Sequence, residues 1–403
     1  MMMEAEKLQR RKAEETQADG AREDTLQERQ NEKLEEDKGG NEHAHTGTQM
    51  TTTTTKKKKK KKKKQKKKKT KKKKIPKQKS MNFLPSESPG CHVAHAPDLP
   101  AWVCGSSRFD PEEFGLSEDE ENEVPDISVD PETHMLSVIN KSHSVRRSFF
   151  ISTRNPVSDR NGEPMESGTS MNEQGEAFAV TTLVLVALPR SIIDACYIQL
   201  DDGEDMSKVD IVSDIKDLAA SGEAREEAAP LTLRFPFQDA AGPILCTQGF
   251  RGVFTHFYRA TQYAIDLQCA VGTPLVAVGS GTITNITQGH RSCGISTENL
   301  FTWNSIMLHL DESKCFVEYV HIAKDGACVQ KGDTVREGDV ICLSGGIGFC
   351  PKPHLHIQAH LSDEEDAPTV PFRFRSSDGS TFVPVAGEWY SVDGIVDMQA
   401  NHQ

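Results

Sequence analysis

The chain has 403 residues, a formal net charge of −12, and 36% hydrophobic against 27% charged residues. The length admits two or three domains, but so low an apolar fraction excludes a chain that is packed from end to end. A bundle of membrane-spanning helices is excluded as well, because each span needs about 20 apolar residues. The longest such stretch, "AFAVTTLVLVAL" (Ala177 to Leu188), has twelve.

Residues 1–80 carry the apolar deficit. They are rich in Glu, Lys, Gln and Arg, and 19 lysines lie between Lys56 and Lys79, so the rest of the chain is strongly acidic. This segment is expected to be a disordered charged tail, since its helix-forming stretches lack an apolar stripe to bury. The lysine block could bind nucleic acid or an anionic surface. A solvated low-complexity run is the favoured reading, because no aromatic residue offers a stacking platform among the lysines. No secretory signal opens the chain, as "MMMEAEKLQRRKAEE" has charges where an apolar core should stand. Met81 offers a second start. A cytoplasmic location is the default expectation, with an extracellular one if another route exports the protein.

Residues 81–125, with "LPSESPG" and "GLSEDEENEVP", are expected to be a linker. From 126 to 212 short apolar or alternating runs such as "SFFISTRNP" and "AVTTLVLVALPRS" are broken by turn residues. They predict a small β-rich accessory module that looks like the immunoglobulin-like modules preceding catalytic domains, although no specific motif carries that likeness. Residues 213–230 are expected to be a polar helix or linker.

Residues 231–392 are again β-rich, with glycines at strand ends and no helical period, which fits an all-β sandwich or barrel. Residues 393–403 are expected to be a tail. Ten cysteines occur without a C-x-x-C pair, which argues against a zinc ribbon or thioredoxin site. Seven lie between Cys246 and Cys350, so disulfides, and glycosylation at Asn140 and Asn285, would be open to an exported chain.

In "GFCPKPHLHIQAH" (Gly348 to His360), strand alternation puts His354 and His356 on one face and Leu355 and Ile357 in a core. His256 lies ten residues before Asp266, and His321 follows Tyr319 by two in "CFVEYVHI". Four histidines and a carboxylate at strand ends fit a catalytic zinc site, which takes three protein ligands and leaves a fourth position open. His290, His309 and His360 are expected on the surface or a strand face. His360 would lie about 13 Å along the strand from His356, too far to share a metal. Trp303 is expected to plug the sheet rather than line a groove, and Cys350 to be a small apolar loop residue.

The ordered set "H…YAIDLQCAVGTPLVAVGSGTI", "YVHI" and "VQKGDTVREGDVICLSGGIGFCPKPHLHIQ" resembles the lysostaphin-type, or LytM-like, zinc endopeptidases. The likeness runs from Phe250 to His360. It implies a duplicated-hybrid-motif β fold with one zinc per chain. It further implies His256, Asp266 and His356 as metal ligands, His354 and His321 as general base and transition-state stabiliser, and a peptide or peptidoglycan substrate. Two departures stand out. The ten-residue His256–Asp266 interval is longer than the usual four or so, and "SGGIGFCPK" replaces "SGNTG.ST". An inactive relative acting as a binding module is the alternative. A phosphocarrier of the same fold would also use facing histidines, but His256 and Asp266 in zinc-ligand context argue against it.

Overall fold

The computed structural model describes residues 89–108, 124–201, 203–218, 231–364 and 367–398. The charged tail, its lysine block, Met81 and the last five residues lie outside them. The described residues belong to one compact unit. They are β-strands joined by turns, with short 3-10 turns at Met206–Lys208, Asp239–Ala241 and Thr297–Asn299. Among the described residues no helix is long and apolar enough to cross a membrane.

The N-terminal module is a two-sheet sandwich. One sheet runs Gly105–Arg108, Ser191–Ile198, Met135–Asn140, Asp126–Val129. The other runs Ile211–Asp217, Arg147–Thr153, Ala177–Ala187, Gly168–Met171, with Cys91–His95 pairing parallel to Ala177–Ala187. Leu136, Val138, Phe149, Ile151, Leu183 and Leu185 fill the space between the sheets. Alternation within Arg147–Thr153 then turns Phe150 to the opposite face, into a second apolar cluster with Val180, Val184, Phe254, Ile295 and Phe349. All seven residues of that strand are buried, because it is covered on both sides. The same arrangement explains why residues 180–187 of the strand Ala177–Ala187 are buried without alternation.

Two boundaries differ from the sequence expectation. Cys91–His95 and Gly105–Arg108 add strands from the stretch expected to be a linker. Ile211–Asp217 enters the segment expected to be helix or linker, because Ile211 and Ile215 pack on the sandwich core. Residues 219–230 lie outside the described ones.

In the C-terminal domain nine strands form one sheet. At its centre the order is Ser305–Leu310, Phe316–Val320, His354–His360, Ile265–Gln268, Ile244–Gln248. Smaller sheets, Pro274–Val276 with Val340–Ser344 and Ile322–Ala327, and Leu231–Arg234 with Phe372–Arg375, cover one face. Ile265, Leu267, Val317, Tyr319, Leu355 and Ile357 all join the core between them. Tyr319 keeps its hydroxyl satisfied in that core, accepting from the Val278 N–H at 2.8 Å and donating to the Val276 carbonyl at 3.0 Å. With the core face fixed, the opposite face must carry Asp266, His354 and His356, and register sets Asp266 directly beside His356 and Gln248 beside Asp266.

The two domains share a sheet. Cys293–Gly294 pairs with Gly168–Met171 on one side and with Gly348–Phe349 on the other. The accessory sheet therefore runs on into the loop that leads to His354.

Candidate metal centre

Three side chains expected as ligands meet, buried, on the face of the large sheet opposite its apolar core. His256 Nε2 lies 3.1 Å from Asp266 Oδ1, His356 Nδ1 lies 2.9 Å from that oxygen, and the two ring nitrogens are 3.2 Å apart. The hydrogen bonds around this triangle place the protons. Carbonyl oxygens can only accept, so His256 Nδ1–H donates to Gly249 O at 3.0 Å and its Nε2 presents a lone pair. His356 Nε2 donates to Gln358 Oε1 at 3.1 Å, leaving the lone pair on Nδ1. Two imidazole lone pairs and a carboxylate oxygen thus converge with their protons turned outward. Such a donor set could hold a cation. Its edges are close to the roughly 3.3 Å edge of a tetrahedron whose bonds are about 2 Å long, the geometry of zinc bound by His and Asp.

His256 reaches the triangle from the loop 249–264. Gln248, at the end of its strand, organises that loop and holds the carboxylate. Its Oε1 accepts from the N–H groups of Phe254 at 3.1 Å and Thr255 at 3.0 Å, and its Nε2 donates to Asp266 Oδ2 at 2.8 Å. The loop crosses so close that a Cβ on Gly252 would stand 2.3 Å from Gln248 Cγ. Beyond His356 the chain of contacts continues from Gln358 Nε2 to Glu318 Oε2 at 2.9 Å. Outer-sphere partners of this kind fix ligand orientation, so Gln248→Leu is expected to weaken metal binding about 10–100-fold. Competition with a chromophoric chelator measures the change.

His354 and His321 stand beside the triangle with ring centres 4.7 Å apart. His354 Nδ1 lies 2.7 Å from Lys352 O, and its Nε2 is 3.5 Å from Asp266 Oδ1. His321 donates from Nδ1 to Ile347 O at 2.6 Å, which leaves Nε2 free. It sits at the kink between Phe316–Val320 and Ile322–Ala327, not within a strand, and has a φ of 64°. A non-glycine residue in the left-handed region costs about 1–3 kcal/mol, a strain characteristic of functional positions.

Burial lowers the pKa of His256, which keeps it neutral and ready to ligate. Burial acts to raise the Asp266 carboxyl, but His256 and His354 hold it well below the usual range. Burial also acts to lower His354; Cys350 and Asp266 outweigh it and bring the imidazole up to about 9. His321 goes the other way, pushed well down by burial and by His354 and His356.

Asp266, His321, His354 and His356 border a groove of about 90 Å³ whose walls include Phe254, Tyr258, Leu300, Trp303 and Phe349, with His256 buried behind it. Trp303 lines this groove and is not a plug over the sheet. Gly348 lets it approach, since a Cβ there would meet Trp303 Cβ at 2.8 Å. His360 is buried on the strand face and donates to Ala367 O at 2.9 Å, outside the triangle. His309 stacks on Phe316, and His290 Nδ1 lies 3.1 Å from Glu173 of the accessory module. Cys350 is buried as an apolar residue would be, but its Sγ lies 3.3 Å from His354 Nδ1. All ten cysteines are free thiols. The sequence reading missed Gln248, Gln358 and Glu318. Gln358 could have been found, as it shares strand parity with His356.

Residues 260–368 match the model of peptidase family M23, a span that includes Asp266, His321, His354 and His356 and begins just after His256. An "Uncharacterized metalloprotease" of Haemophilus influenzae is 30% identical over 98 residues, covering 24% of this chain and 18% of that protein. Lysostaphin of Staphylococcus simulans is 31% identical over 96 residues, 24% of this chain and 17% of its own length. The chain thus spans about a fifth of the length of the curated relatives it matches. Among solved structures, lysostaphin from Staphylococcus simulans aligns at 25% identity with a TM-score of 0.25, covering 32% of this chain and 47% of that one.

Proposed function

We propose that this member of peptidase family M23, whose family domain spans residues 260–368, is a zinc-dependent endopeptidase. The observation that carries the reading is the triangle of His256 Nε2, Asp266 Oδ1 and His356 Nδ1, with the outer ring nitrogens of the two histidines committed to Gly249 O and Gln358 Oε1. These three atoms would hold one zinc ion per chain. When bound, zinc lowers the pKa of a coordinated water to about 7 and polarises a scissile carbonyl.

The chain supplies the rest. Asp266 and Gln248 hold His256 and His356 in register. Backbone carbonyls fix the rings of His354 and His321 through Nδ1, so that each presents Nε2 to the space beside the triangle. The Asp266 charge that favours the protonated His354 ring would be offset by a cation at the triangle. His354 would then take the proton of the attacking water and return it to the leaving amine, with His321 steadying the charge that develops. The aromatic walls exclude bulk water from that step.

The groove is narrow and apolar-walled, which suits a main chain with little side-chain bulk. Peptidoglycan cross-bridges and other glycine-rich peptides are the proposed substrate class. The test is the full chain, stripped with chelator and reloaded. It should retain about one zinc, cut a glycine-containing cross-bridge peptide, lose the activity to chelator and regain it with zinc. Failure to retain stoichiometric zinc overturns the proposal. Zinc retention without cleavage would support the inactive relative instead.

A further inference from the structure

Cys350 lies at the end of the pair Cys293–Gly294 and Gly348–Phe349, and its N–H donates to Gly294 O at 2.8 Å. That pairing points the thiol at the back of His354. Sγ lies 3.3 Å from His354 Nδ1 and donates to Lys352 O at 2.9 Å, the same carbonyl that the imidazole uses at 2.7 Å. His321 completes the group: one ligand atom each from His321, Cys350 and His354 lie within 4.8 Å of one another. None of the three belongs to the His256, Asp266 and His356 triangle.

We propose that His321, Cys350 and His354 form a second metal site, for a thiophilic divalent cation such as Zn2+ or Cd2+, which silences the enzyme when filled. Thiolate with two imidazoles is a donor set that favours zinc and its softer neighbours over magnesium or calcium. Binding takes the thiol proton off Cys350 and releases it to solvent. It also releases the His354 Nδ1 proton to solvent and leaves the ring protonated at Nε2, which faces Asp266 Oδ1 at 3.5 Å. The carboxylate thereby becomes the outer partner of the second metal's imidazole. His321 ligates through Nε2, since Nδ1 is committed to Ile347 O. The atoms are more widely spread than in the triangle, whose separations reach only 3.2 Å. Closing them around an ion requires the side chains to shift, so this site fills after the first.

Occupancy would remove both proposed catalytic histidines at once. This inhibitory consequence rests on the peptidase reading; the site itself does not.

The experiment titrates metal-free full-length protein with Co2+ and Cd2+. The first equivalent, taken by nitrogen and oxygen donors, should give no thiolate-to-metal charge-transfer absorption. The second should give it, and Cys350→Ser should stop at one equivalent without the band. With zinc, turnover should fall at least tenfold between one and several equivalents in the wild type, while the same ratio in Cys350→Ser stays near one. Mass-spectrometric mapping of alkylation supplies a readout that needs no variant, since Cys350 in the wild type should become protected only with the second equivalent. Saturation at one equivalent without a thiolate band overturns the proposal, as does a band that survives in Cys350→Ser. If no peptide is cut under any condition, the spectroscopic and alkylation results still decide the site, and only the peptidase reading falls.

Discussion

His356→Ala should lose stoichiometric zinc and lower kcat/KM by roughly 10³-fold or more, because it removes one of the three proposed protein ligands. The loss is compounded on both sides of the strand. Asp266, 5% exposed, would keep a buried carboxylate with one fewer partner, and Gln358 Oε1 would lose its donor. His354→Ala should separate the two roles of the paired histidines. It leaves the three triangle atoms in place, so zinc should be retained while kcat falls by about 10²–10⁴-fold, the range for loss of a general acid–base group. His309→Ala, at a ring stacked on Phe316, controls for the loss of a histidine as such and should leave zinc and turnover unchanged. Metal analysis alongside steady-state kinetics checks all three. Full zinc in His356→Ala, or zinc lost equally in His354→Ala, would rule out the ligand set proposed here.

These contrasting expectations follow from strand parity, which is also what made the site legible in the sequence. Leu355 and Ile357 are buried on the core side, so a slip of one residue would turn His354 and His356 into the apolar core and the two aliphatics onto the polar face of the site. Burying each aliphatic side chain contributes about 1.5–3 kcal/mol, which fixes the register strongly. The same argument places Asp266 through Ile265 and Leu267. His256 could not be placed this way. It comes from an irregular loop, and only the contacts of Gln248 show how that loop folds back over Asp266. Nor could the sequence show the domain contact. A run such as Arg147–Thr153 reveals that both faces are covered but not what covers the second one. The strand Cys91–His95 escaped for a related reason: it is short, and it is recruited by parallel pairing to a strand far along the chain.

Residues 231–403 produced alone should be at least about 10²-fold less active than the full chain, the scale set by displacing catalytic groups by about 1 Å. The reason is that both loops of the site are backed by the accessory sandwich. Phe254, two residues before His256, and Phe349, next to Cys350, are buried against Phe150, Val180 and Val184. Accessory hydroxyls also satisfy the backbone that leads into this region. Ser170 Oγ accepts from the N–H groups of Ile295 and Ser296 at 2.8 Å each, Ser152 Oγ accepts from Thr297 N–H at 2.8 Å, and Thr182 donates to Ile295 O at 2.6 Å. Excision exposes an apolar face and releases these groups together. Single substitutions grade the effect: Phe150→Ala should destabilise the full chain by about 3–5 kcal/mol, and Ser170→Ala by about 1–3 kcal/mol because two buried N–H groups lose their acceptor. Denaturant melts give the stabilities, and kcat/KM at saturating zinc gives the effect on the site. An excised domain as active as the full chain would show that the triangle and its two histidines are held by the large sheet alone. The shared strands would then serve only to join the domains. Reduced turnover with zinc still bound would instead locate the accessory contribution in the Gly348–His354 loop, which reaches the site through the shared strand and carries none of the three ligands.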